Sequence, residues 1–156
     1  MGFIVMSVKF QDERNRNLRI QGEFNPYQRK PSFMSGNEKK LYSILSSIQG
    51  LQNYYIYPQL HLSTILEVKE DARDMQGKFE WLNKLFVDFV ICDRENIEPV
   101  LVIELNDSTH KWGSRKARDQ FIKNALSENG IQLLTFSTND LAQSTIVESK
   151  ISEWLN

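Results

Sequence analysis

Two acids sit where a charge is least at home. Asp88 lies inside Leu85-Phe86-Val87-Asp88-Phe89-Val90-Ile91, and Glu104 inside Val100-Leu101-Val102-Ile103-Glu104-Leu105. Both runs read as buried strands, and an ionised carboxylate withdrawn from water is costly unless something neutralises it. Between them, Cys92-Asp93-Arg94-Glu95-Asn96-Ile97-Glu98-Pro99 is polar, carries turn formers and a proline, and is short enough to close an antiparallel hairpin. The numbers of opposed residues in such a pair share a constant sum. A turn centred on Asn96 therefore sets Asp88 against Glu104 on one face, with Cβ atoms roughly 4.5 to 5.5 Å apart. A turn centre wrong by one residue would break that opposition. Like charges so placed repel, and a shared divalent cation resolves the repulsion. Mg²⁺ suits the site, since it takes oxygen donors and is satisfied by one or two carboxylates together with water and substrate phosphate. Asn106, two residues beyond Glu104, continues the same face. The plainer alternative is that one acid is protonated, or that each meets an Arg or Lys and serves only the core.

The whole chain narrows the chemistry. Its 156 residues, 40% hydrophobic and 25% charged, suit a single globular domain with a real core. A net charge of -1 excludes bulk electrostatic attraction to nucleic acid, so any such binding needs a local patch. The richest candidate holds Lys111, Arg115, Lys116, Arg118 and Lys123 against Asp119. A second joins Arg29 and Lys30 to Lys39 and Lys40. Either also reads as a solvated helix face. With Cys92 as the single cysteine there is no internal disulfide and no thiolate set for zinc, which favours Mg²⁺ or Mn²⁺. The first residues are too short an apolar run, and lack the basic flank, for a signal peptide. No run approaches the roughly 20 apolar residues of a membrane span. A cytoplasmic protein without membrane contact is expected.

The elements that must position the acids follow from periodicity. Residues 1–30 read as a partly irregular arm with a strand near Gly2 to Phe10, followed by one α/β domain over 31–156. Ser35-Gly36-Asn37-Glu38 fits a capping box, and Leu41, Ile44, Leu45 and Ile48 give the following helix its buried stripe up to Gly50. Asn53 to Leu60 reads as a strand, whereas His61 to Leu82 has no assignable period. After the hairpin, Asn106 to Gly113 is a polar loop. Ser114 caps a helix with Ala117, Phe121 and Ala125 inward and Ile122 alongside, ended by Asn129-Gly130. Ile131 to Phe136 is a further strand, and Thr145-Ile146-Val147-Glu148 caps a last helix that turns Val147, Ile151, Trp154 and Leu155 inward. A strand reached through a helix can lie parallel to the one before it, so the expected architecture is a three-layer α/β sandwich, a central mixed sheet flanked by helices.

Val87-Asp88-Phe89-Val90, then Ile103-Glu104-Leu105-Asn106-Asp107-Ser108-Thr109-His110, then Arg118-Asp119 and Gly130-Ile131-Gln132-Leu133-Leu134, together resemble the restriction-endonuclease-like PD-(D/E)XK superfamily. Within it they look most like a bacterial branch of unknown function related to very-short-patch-repair endonucleases. Ser35 to Leu45 and Tyr57-Pro58-Gln59-Leu60 are similar to that branch's first helix and strand, so the likeness spans about residues 25 to 140. The resemblance implies a restriction-endonuclease-like fold and metal-dependent phosphodiester hydrolysis of nucleic acid, DNA in preference to RNA. Asp88 and Glu104 would be the metal ligands, and the metal would activate water. Glu38 would supply a third carboxylate or serve only its capping box. The superfamily commonly has Lys two residues after the second acid, and the closer branch has Asp. Here the residue is Asn106, which accepts through its carbonyl but does not titrate at neutral pH. The basic role then falls to Lys111, Lys116 or Arg118, or water activation to His110, whose ordinary pKa near 6.5 suits a general base. Asp107 is a ligand or a turn cap. Arg118 and Asp119 clamp phosphate or hold the loop, Asp119 as structural support. Lys111, Arg115, Lys116 and Arg118 would track a phosphate backbone. Gln59 would touch the site if its strand lies beside the hairpin. The alternative kept open by Asn106 is a catalytically inactive nuclease-fold module that binds nucleic acid or a protein partner.

Overall fold

The Ser35 hydroxyl accepts from the Glu38 N–H at 3.2 Å and the Glu38 carboxylate accepts from the Ser35 N–H at 2.6 Å, so the expected capping box starts the first helix. The computed structural model describes residues 27–106 and 113–156, with side chains in the second stretch from Arg118 onward. The chain divides into Met1–Phe33 and Met34–Asn156. Residues 27–33 form no helix or strand. The strand expected near Gly2 lies outside the described residues.

Helix α1 (Gly36–Ser47) leads through a 3-10 turn, Gln49–Asn53, into β1 (Tyr54–His61). The segment that carried no readable period holds a short 3-10 turn, Leu62–Thr64, and helix α2 (Met75–Leu82). Then come β2 (Phe86–Asp93), β3 (Pro99–Asn106), α3 (Gly113–Glu128), β4 (Gln132–Ser137), a 3-10 turn at Asp140–Ala142, and α4 (Ser144–Leu155). The four strands lie in the order β1-β2-β3-β4; the first two pairings are antiparallel and β3 to β4 is parallel. The parallel step is the one made through α3, as a crossover helix permits. Pro58 is tolerated because β1 is an edge strand.

Two apolar clusters form, with β2 and β3 contributing to both. Leu41 and Leu45 of α1 and Val147 and Ile151 of α4 pack with Phe89, Ile91, Leu101 and Ile103. Ile122 and Leu126 of α3 and Leu82 of α2 pack with Val87, Val90, Cys92 and Val102. The protein is thus an α/β fold with a mixed sheet between helices. Three local expectations need correction. Helix α3 already begins at Gly113, so Ser114 lies within it and is not its cap. Among the described side chains of α3, Ile122 and Leu126 are buried and Ala125 half-buried, whereas Phe121 is 41% exposed and meets Trp81 edge to face at 4.3 Å; the Ala117 side chain lies outside the described ones. The α4 helix starts at Ser144 after Gln143 without a side-chain cap, so Thr145 and Glu148 form no capping box. By contrast α3 ends as read. Gly130 takes φ 73°, the Ile131 N–H reaches the Leu126 carbonyl at 3.0 Å, and the Gly130 N–H reaches Ser127 at 3.2 Å.

The hairpin reaches the expected register by an unexpected route. At the turn Cys92 faces Pro99, and at the next step Ile91 faces Leu101, which leaves Val100 as an extra residue in a bulge. Without that bulge this turn would have set Ile103, not Glu104, against Asp88. Beyond it Val90 faces Val102 and Phe89 faces Ile103, where the paired ladder ends; the same register carried one step further would oppose the two acids. The Asp93 carboxylate fastens the turn by accepting from the Asn96 N–H at 2.7 Å and the Glu98 N–H at 3.0 Å, and these donors hold its pKa below the usual carboxylate value. Ile97 is forced to φ 60°, a conformation that β-branched residues resist, while 57% exposed. Replacing it should therefore help: Ile97→Gly is expected to stabilise by about 1 kcal/mol, raising Tm by roughly 2 to 4 °C. Thermal unfolding followed by circular dichroism reads this, and an unchanged or lower Tm would show the turn to be unstrained.

Candidate active site

The opposed acids do not simply face each other across the strands. Asp88 Oδ2 accepts from the Leu105 backbone N–H at 2.7 Å, taking up a donor of β3 that would ordinarily serve the ladder. Glu104 lies close enough that the two carboxyl groups act on each other, and the Asp88 charge raises the Glu104 pKa. Glu104, whose pKa is raised to about 8, is the member that keeps the proton.

Burial is the first cause for both shifts. It raises the Asp88 pKa, opposed by the Leu105 N–H and reinforced by the negative charge of Glu38. It pushes Glu104 from 4.5 up to about 8, with the Asp88 charge adding to the rise and Arg118 opposing it. At neutral pH Glu104 thus holds a proton and the pair carries at most one negative charge, as the plainer reading of the sequence allowed. Glu104 Oε1 is buried with no hydrogen-bond partner among the described residues. A buried carbonyl-type oxygen left bare is costly, and it marks a position where a ligand would be welcome.

Arg118 is the cation that acts on this pair, but through space. Its guanidinium donates to the Phe86 carbonyl at 3.3 Å and stands 3.9 Å from Asp119. Among the described residues no ion pair within 4.0 Å joins it to either acid. Glu38 makes its capping box and still raises the Asp88 pKa by its charge, so it stands near the pair without joining it. Asn106 is exposed at the end of β3, opposite Ser137 of β4. Asp107, His110 and Lys111 lie outside the described residues. Arg115 and Lys116 fall on the first turns of α3, where side chains are not described.

Among the described residues no three His, Cys, Asp or Glu side chains gather around one point. The two carboxylates, one with a bare buried oxygen, meet the modest protein demand of Mg²⁺ and fall short of a closed zinc site. Two further contacts lie on the elements around the pair. His61, across from Phe86 on β1, stacks on it at 3.9 Å between ring centres and turns Nδ1 to the Asn83 carbonyl at 2.6 Å. Trp81 and Phe121 form an exposed aromatic pair, with Phe121 one turn along α3 from Arg118. The Trp81–Phe121 pair has no sequence signature, because it depends on α2, which has no clear apolar period, while the His61–Phe86 pair follows from the β1–β2 register.

Residues 30–154 match a family described as a protein of unknown function, DUF2726. No curated protein and no solved structure matches the chain.

The protonated pair makes stability depend on pH. Between about 4.5 and about 8 the folded protein holds a proton on Glu104 that the unfolded chain has released. Unfolding free energy therefore falls as pH rises through that window, by up to about 1.4 kcal/mol per unit. Denaturant titrations in EDTA at several pH values should show this fall. Glu104→Gln, which cannot titrate, should lose most of the slope and exceed the wild type in stability at pH 8. A variant that kept the wild-type slope would place the titrating group elsewhere.

Proposed function

We infer that this chain, which belongs to the DUF2726 family, is a metal-dependent nuclease of restriction-endonuclease-like fold. The observation that carries the reading is the pair itself: Asp88 and Glu104, from adjacent strands, held together in a half-buried position with one oxygen unpartnered. Such a pair is a poor way to stabilise a core, since an apolar pair of similar volume would avoid both desolvation and repulsion. Perturbed acids of this kind cluster at functional sites.

Asp88 and Glu104 would hold Mg²⁺ or Mn²⁺, which when bound lowers the pKa of water and offsets charge on a phosphate. Glu104 must give up its proton to become a ligand, so metal loading is favoured as pH rises. Asp88, fixed by the Leu105 N–H, is preset to ligate with its remaining lone pairs. Arg118 lowers the pKa of both acids and is the described cation best placed to meet a phosphate oxygen. Asn106, at the end of the strand that carries Glu104, would hold water through its side-chain carbonyl without taking its proton. The exposed Trp81 and Phe121 beside Arg118 suit contact with nucleobases.

A second reading rests on Asn106. An uncharged, non-titrating residue at this place favours a module that binds nucleic acid without cutting it. The assay that separates the two uses purified protein with plasmid DNA, linear single-stranded DNA and RNA, in Mg²⁺, Mn²⁺ or EDTA. Nuclease action is expected to stop in EDTA and to fall by roughly 100-fold or more in Asp88→Ala and Glu104→Ala. Binding of the same substrates without any cleavage would favour the module.

A further inference from the structure

The strand next to the acids is turned over at one residue. Along β1, Ile56 and Leu60 are an even number of residues apart and should face one way, yet Ile56 packs with the α1 and α4 cluster and Leu60 with the α3 cluster. Along β2 the same contradiction separates Val87 from Phe89. The register between the strands does not slip: Pro58 faces Phe89 and Leu60 faces Val87. Both strands therefore turn over together at the position between, where Gln59 faces Asp88 and neither is paired in the ladder. Gln59 has φ 55°, and Asp88 is not among the described residues with positive φ.

This reversal accounts for the Asp88 contact. The Leu105 N–H points toward β2, and the register beyond Phe89 and Ile103 would give it the Val87 carbonyl. Past Asp88, however, the odd-numbered carbonyls turn to the β1 side, as the Leu62 N–H bonded to Leu85 O at 2.7 Å shows just beyond the ends of the two strands. Val87 is thereby taken from β3, and the Asp88 carboxylate fills the vacated place. We propose that Gln59 is a positioning residue: its left-handed backbone turns over the end of the β1–β2 pair and so swings the Asp88 carboxylate into β3 beside Glu104. The function of the acid pair rests on the nuclease reading, whereas its placement by Gln59 does not. Among the described residues the Gln59 side chain makes no hydrogen bond, so it is the backbone that acts. A side chain resists this conformation and glycine does not, while asparagine tolerates it.

The proposal is tested on the full chain with Gln59→Gly, Gln59→Asn and Gln59→Val, with Gln59→Ala taking the place of the valine variant if circular dichroism shows that it does not fold. Exchange of the Leu105 amide is followed by NMR without metal, and Mg²⁺ affinity by calorimetry. In the glycine and asparagine variants both should stay within about 2-fold of wild type. In the valine variant Leu105 protection and Mg²⁺ affinity should each fall by about 10-fold or more, as when a supporting contact to a metal ligand is lost. If the wild type binds no Mg²⁺ but valine alone exposes Leu105, the positioning stands and the nuclease reading falls. Equal losses in glycine and valine, or an unchanged Leu105 in valine, would overturn the positioning.

Discussion

Two carboxyl groups in contact inside a sheet are the constraint around which this protein is arranged. A buried pair of acids cannot hold two charges, so it must hold a proton, a metal or a nearby cation. In this fold Glu104 carries the proton, Arg118 supplies a positive field, and Asp88 is tied to the backbone of the strand that carries its partner. Each feature depends on β2 and β3 being locked in one register, and that register is held by apolar side chains on both faces. Slipping it by one residue would expose Phe89 and Ile91 or Val90 and Cys92 together with the acids. The core thus enforces the proximity that electrostatics opposes.

Much of this was legible from the residues themselves. The acids announced the site because their neighbours are Val, Ile, Leu and Phe, and the hairpin count placed them together. Ser35 and Glu38 announced a helix start, and Asn129-Gly130 its counterpart at the end of α3. Other features left no trace in local sequence. The bulge at Val100 has no glycine to mark it, and the count reached the right opposition although the turn is closed between Cys92 and Pro99. Phe121 and Ile122 are adjacent and both apolar, so periodicity could not say which faces the sheet; α2 decides it by offering Trp81 to Phe121. Thr145 resembled a cap by type and spacing, yet the chain had already turned helical at Ser144. Gln59 in the left-handed region is the least legible of all, since glutamine carries no preference for it.

The site also shows why charge type matters near such a pair. A lysine two residues after Glu104 would neutralise the acids directly. With Asn106 in its place, neutralisation is left to the proton on Glu104 and to Arg118 from the neighbouring helix. On the nuclease reading, a divalent cation entering the site would displace the proton held by Glu104. That displacement would tie metal affinity to pH in a way that a site of two freely ionised carboxylates would not show.

Calorimetric titration of Mg²⁺ into the protein near pH 6.5, repeated in buffers of different ionisation enthalpy, tests this account most directly. It predicts saturable binding that releases about one proton per metal and disappears in Asp88→Asn. Absence of binding, or binding without proton release, would contradict it.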